Sequence, residues 1–101
     1  MRKQGRTDAN QAAIVASLRA AAKYVRLSVF VTSAVGNGFP DIVVGYLGRN
    51  FLIEIKDPKK PPSARKLTEA EDGFHSKWDG QVATCGTFDE ILKVIGLTFR
   101  A

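Results

Sequence analysis

The sequence predicts a mixed α/β fold, a β-sheet flanked by helices in the order α-β-β-β-α-β-α. Three observations carry this expectation. Apolar residues recur at helical spacing near both ends of the chain. Two short apolar runs flank a glycine-containing turn in the middle, which is the pattern of a hairpin. A strand-like segment, Gln81–Cys85, follows a helical one, and that arrangement permits a parallel strand reached through a crossover. At 101 residues the chain suits one domain around one core, with residues 1–7 expected to form a flexible basic tail.

Composition excludes several classes. With 45% hydrophobic and 25% charged residues the chain has a globular balance. No apolar run approaches the roughly 20 residues that cross a bilayer, so a soluble protein without a membrane partner is expected. The basic start, with Arg2, Lys3 and Arg6, is followed by polar residues where a secretory signal needs an apolar stretch, so a cytoplasmic protein is expected. Cys85 is the single cysteine, which excludes an internal disulfide and a cysteine-rich zinc site; its apolar surroundings read as a buried core thiol. The net charge of +5 is concentrated in the tail and in Lys56, Lys59, Lys60, Arg65 and Lys66, a distribution that attracts polyanions.

The elements follow in order. A helix begins near Asn10, with Asp8 or Asn10 as N-cap, because Ile14, Val15 and Leu18 share one face of the alanine-rich stretch 12–22. Residues 24–31, YVRLSVFV, alternate and are β-branched, predicting a strand. Gly36-Asn37-Gly38 breaks the chain, and Pro40 holds Phe39 extended. The runs 41–46 and 51–56, joined through Leu47-Gly48-Arg49-Asn50, form the hairpin. Three prolines in residues 57–63 require a loop. Thr68 and Glu71 have capping-box spacing, predicting a helix over 69–78. Its Phe74 and Trp78 stand four apart on one face, which reads as core packing rather than base stacking. After the Asp79-Gly80 turn comes the strand Gln81–Cys85, and Thr87 then caps a last helix whose apolar face is Ile91, Leu92 and Ile95, ended by Gly96.

The hairpin register sets the chemistry. A two-residue turn at Gly48-Arg49 and a four-residue turn over 47–50 give the same register, with Asp41 opposite Lys56 and Val43 opposite Glu54. Asp41 and Glu54 are then diagonal neighbours, roughly 7 to 8 Å apart at Cα. Alternation puts both, with Lys56, on one face. Two such carboxylates can bracket a divalent cation, and a lysine beside them can neutralise a phosphate or orient a nucleophile. Each piece alone has an ordinary explanation, as a turn opening or an exposed strand of alternating charge. The flanking residues Ile42, Val43, Val44, Leu52, Ile53 and Ile55 weigh against it, because an acid on so apolar a hairpin is desolvated unless a cation or hydrogen bonds compensate.

Gly38-Phe39-Pro40-Asp41 followed by Phe51-Leu52-Ile53-Glu54-Ile55-Lys56 resembles the PD-(D/E)XK nuclease superfamily, and within it the small phage-type VRR-NUC domains. The resemblance runs from Asp8 through the hairpin, through residues 61–68 (PPSARKLT), and on to the closing strand and helix. It implies a restriction-endonuclease-like fold and a Mg²⁺- or Mn²⁺-dependent phosphodiesterase acting on DNA. Asp41 and Glu54 would be metal ligands, the Ile55 carbonyl would complete the metal shell, and Lys56 would be the catalytic lysine. Such domains often carry a glutamate on the first helix, where Gln11 stands here with an amide oxygen but no charge. Glu71 stands where a glutamine is common; as an acid it could repel a phosphate, supply another metal contact, or only complete the capping box. His75, the single histidine, reads as a surface or packing residue.

The resemblance further implies a structure-selective endonuclease on branched DNA, resolving Holliday junctions as a homodimer that supplies two active sites. Lys59, Lys60, Arg65, Lys66 and Arg6 are the expected DNA contacts, and the expected setting is a bacterial cytoplasm if the gene is of phage or prophage origin. Flap, nicking or non-specific cleavage is the nearest alternative. A catalytically idle DNA-binding accessory protein is the alternative from another class.

Overall fold

Helix α1 (Gln11–Ala21) directs Ile14, Val15, Leu18 and Ala21 into the core, the stripe its spacing predicts. The structure, a computed structural model, describes residues 8–98, so the basic tail and its Arg6 lie outside the described residues. Asn10 occupies the N-cap position without a side-chain cap bond, and its amide nitrogen donates to the Gly86 carbonyl at 2.9 Å. After α1 the amides of Lys23, Tyr24 and Val25 still bond back to the carbonyls of Ala20 and Ala21. That unwinding turn delays the strand expected from Tyr24, and β1 runs only over Leu27–Val31.

Strands β2 (Ile42–Tyr46), β3 (Arg49–Ile55) and β4 (Gln81–Cys85) complete a four-stranded sheet in the order β1-β2-β3-β4. The first two pairings are antiparallel and β3-β4 is parallel, as the crossover through α2 (Glu69–Lys77) permits. The loop before α2 contains a single 3₁₀ turn, Pro62–Ala64. Helix α3 (Phe88–Ile95) starts at the Thr87 cap and ends at Gly96, whose φ of 84° suits a residue without Cβ. One sheet face buries Leu27, Ile42, Val44, Phe51, Ile53, Ile55 and Cys85 against α1 and α3. Burial, and then the charge of Glu90, pushes the Cys85 thiol up to about 11, so it is the inert core thiol expected. Among the described residues no helix is long and apolar enough to cross a membrane.

The hairpin register differs from the expected one by two residues. Tyr46 pairs with Arg49 and Ile42 with Ile53, around the two-residue turn Leu47-Gly48. Both turn residues have positive φ, 52° and 77°, the type I′ geometry whose twist matches that of the strands. Hydrophobic patterning could not separate the two registers, because a slip of two leaves every side chain on its own face. The turn decides between them. Asp41 therefore faces the Ile53-Glu54-Ile55 segment rather than Lys56, and it stays on the same face as Glu54.

Helix α2 also departs from expectation. Its capping box forms as predicted, but none of its residues is buried, and Trp78 is 42% exposed. Phe74 stacks on Trp78 with ring centroids 5.0 Å apart and meets Phe39 edge-on at 5.2 Å. This is a surface aromatic cluster, not core packing. The core face of the sheet is already covered by α1 and α3, so the crossover helix lies over the opposite face, from which Glu54 and Lys56 rise.

Candidate active site

Asp41 is held on three sides. Its amide donates to the Ile53 carbonyl at 3.0 Å, its carbonyl accepts from the Thr32 amide at 2.7 Å, and its carboxylate Oδ2 accepts from the Ile55 amide at 2.8 Å. The carboxylate thus caps the backbone of β3 just before β2 begins. In an extended strand the amide and carbonyl of one residue point to the same edge, so the Ile55 carbonyl faces the Asp41 side as well.

Glu54 lies between these contacts and is only 3% exposed. Burial first, then the negative charges of Asp41 and Glu71, push its carboxyl up to about 9. It therefore keeps its proton at neutral pH unless a cation joins it. Burial also raises Asp41, against the opposing effect of the Ile55 hydrogen bond. Among the described residues Glu54 Oε1 has no hydrogen-bond partner. A buried, unpaired carboxyl oxygen beside a second carboxylate is the kind of position a cation fills.

Lys56 extends from the end of β3, where its amide bonds the Cys85 carbonyl at 3.0 Å. Its Nζ donates to Glu71 Oε1 at 2.9 Å and stands 3.8 Å from Glu54 Oε2. Burial opposes its charge, but the Glu71 hydrogen bond and the surrounding carboxylates outweigh that and raise its pKa. Glu71 moves the opposite way: its own burial is outweighed by the hydrogen bonds from the Thr68 amide and Lys56, which hold it low. Of the three roles open to Glu71, the capping box is formed, and a hydrogen bond from Lys56 is added to it.

These groups line a cleft of about 650 Å³ closed on one side by the Gly36–Phe39 loop. Lys60 and Lys66 line it too, as does Ile55, whereas Lys59 and Arg65 do not. Gln11 is not brought there. It is buried on α1 beside a separate groove shared with Val15, Arg19 and Val31, because α1 packs on the other face of the sheet. The acid at the start of α1 that does reach the cleft is Asp8, considered in the sequence only as a cap. Its Oδ2 accepts from the Asp57 amide at 3.1 Å and its Oδ1 accepts from Lys60 Nζ at 2.6 Å. Sequence offered no signal for this beyond an acid near a helix start. His75 joins α2 to β4, with Nδ1 2.9 Å from the Glu71 carbonyl and Nε2 3.3 Å from Thr84 Oγ1, which matches a packing role.

No protein-family model, curated protein or solved structure matches the chain. Among the described residues no three histidine, cysteine or acidic side chains are arranged to hold an ion by themselves. A cation between Asp41 and Glu54 would need further oxygens from the Ile55 carbonyl, water or a phosphate, and Mg²⁺ favours such a mixed set.

Proposed function

We propose that the protein is a Mg²⁺- or Mn²⁺-dependent DNA endonuclease that hydrolyses phosphodiester bonds. The observation that carries this reading is the convergence of Asp41, Glu54 and Lys56 in one polar cleft, with the Glu54 carboxyl buried, one of its oxygens without a hydrogen-bond partner among the described residues, and its pKa raised to about 9. A bound divalent cation would polarise the phosphoryl group and lower the pKa of a water molecule. Asp41 would hold the ion with an oxygen already oriented by the Ile55 amide, and Glu54 would release its proton to become the second ligand. The Lys56 ammonium would stand beside the scissile phosphate and offset its charge. Lys60 and Lys66, on the wall of the same cleft, would hold neighbouring phosphates without reading bases.

The sequence resemblance narrows the substrate to branched DNA, with Holliday junctions cleaved by a homodimer. The test is cleavage of labelled four-way junction, flap, duplex and single-stranded DNA with Mg²⁺, Mn²⁺ or a chelator. We expect cation-dependent cleavage, fastest on the junction. Preferential cutting of flaps or duplex would keep the enzyme class and change the substrate. Binding without cleavage under every condition would instead support an idle DNA-binding accessory protein.

A further inference from the structure

We infer that Glu71 is a positioning residue that sets where the Lys56 ammonium stands, by holding it and the first turn of α2 on one carboxylate oxygen. Glu71 Oε1 accepts from Lys56 Nζ at 2.9 Å and from the Thr68 amide at 2.8 Å. The Glu71 amide in turn donates to Thr68 Oγ1 at 3.2 Å, so the carboxylate cannot turn toward solvent without opening the capping box.

The helix start is itself fixed to the Asp41 side of the cleft. Gly38 has a φ of 81°, and a Cβ there would collide with the Ala70 carbonyl and lie 2.9 Å from the Glu71 amide nitrogen. The loop that leads into Asp41 therefore touches the α2 backbone at the residue that holds Lys56. The edge-on contact of Phe39 with Phe74 continues the same seam one helical turn later. With no buried residue, α2 is not anchored by the core; its first turn meets the rest of the chain at the cleft. Asp41 stands just before β2 and Lys56 just after β3, and the first turn of α2 meets both the loop leading to Asp41, at Gly38, and the Lys56 side chain. A flexible lysine chain left alone would sample many rotamers, and the ion pair removes that freedom before a phosphate arrives.

The consequence for catalysis rests on the nuclease reading, whereas the placement of Lys56 does not, and the experiment separates the two. Glu71→Gln keeps a residue that completes a capping box but removes the charge, Glu71→Ala removes both, and Gly38→Ala displaces the α2 turn with every charged group retained. Each full-length protein is treated with limiting acetic anhydride, and acetylation at Lys56 and Lys59 is compared by peptide mass spectrometry. In the parent, Lys56 should react more slowly than Lys59. In Glu71→Gln its rate should rise about tenfold, the equivalent of one charge-assisted hydrogen bond, while Lys59 is unchanged. Gly38→Ala should reproduce the rise. In junction cleavage Glu71→Gln should lower kcat with KM near the parent value, as loss of orientation rather than of binding requires. Unchanged Lys56 labelling in Glu71→Gln, or raised labelling with parental kcat, would overturn the assignment. A parent protein that cuts no DNA would sink the nuclease reading alone, and the labelling would still uphold or overturn the placement of Lys56.

Discussion

Replacing Glu54 by glutamine should convert a steeply pH-dependent stability into a nearly flat one when divalent cations are absent. Glu54 is 3% exposed and titrates at about 9, against 4.5 for an ordinary glutamate. Between those values the folded chain holds a proton that the unfolded chain has released, so raising the pH favours unfolding. Stability is fully present below the lower value and is lost as the pH rises toward the upper one. The slope is about 1.4 kcal/mol per pH unit, so from about pH 5 to about pH 8 the parent should lose roughly 2 to 4 kcal/mol once relaxation and water entry are allowed for. Asp41 is raised as well and adds to the loss at the acidic end. Glu71, which is lowered, acts below 4.5, and Lys56, which is raised, acts above 10.5, so neither enters this window. The assay is urea unfolding followed by circular dichroism, in chelator, across that range. Glu54→Gln should match the parent near pH 5 and exceed it near pH 8. Adding Mg²⁺ should recover stability in the parent and not in the variant. Equal slopes in the two proteins would refute both the buried protonated carboxyl and the account of why a cation enters.

Other consequences are equally direct. Asp41→Asn and Lys56→Ala should each lower cleavage about 100-fold or more while leaving the circular dichroism spectrum unchanged, and parental rates in either would remove that residue from the mechanism. Neutralising Lys60 and Lys66, which line the cleft, should flatten the salt dependence of DNA binding by about two units, one for each phosphate no longer held. Neutralising Lys59 and Arg65, which do not line it, should change the slope less, and the reverse order in filter-binding titrations would move the DNA elsewhere. Ile53→Ala, at a fully buried position, should cost about 2 to 5 kcal/mol in chemical denaturation, whereas Trp78→Ala on the exposed cluster should cost about 1 kcal/mol or less.

Much of this protein is written in local pattern. The helical stripe of Ile14, Val15 and Leu18, the Thr68–Glu71 capping box, the Gly96 stop and the alternation through Glu54 and Lys56 each depend on neighbours a few residues away, so the sequence alone determined the element order and the shared face of Asp41, Glu54 and Lys56. Tertiary structure decided what local pattern leaves degenerate. The two hairpin registers bury the same residues, so only the Leu47-Gly48 turn could distinguish them. Phe74 and Trp78 had core spacing, but the core face was taken by α1 and α3. That Asp8 lines the cleft while Gln11 lines another groove has the same origin, because which part of a helix start reaches a cleft depends on where the helix docks. The link from Glu71 to Lys56 spans fifteen residues and exists only because the crossover helix settles on the uncovered sheet face. Periodicity reports which side of an element is apolar, whereas contacts across the chain depend on how those sides compete for one another once the chain has closed.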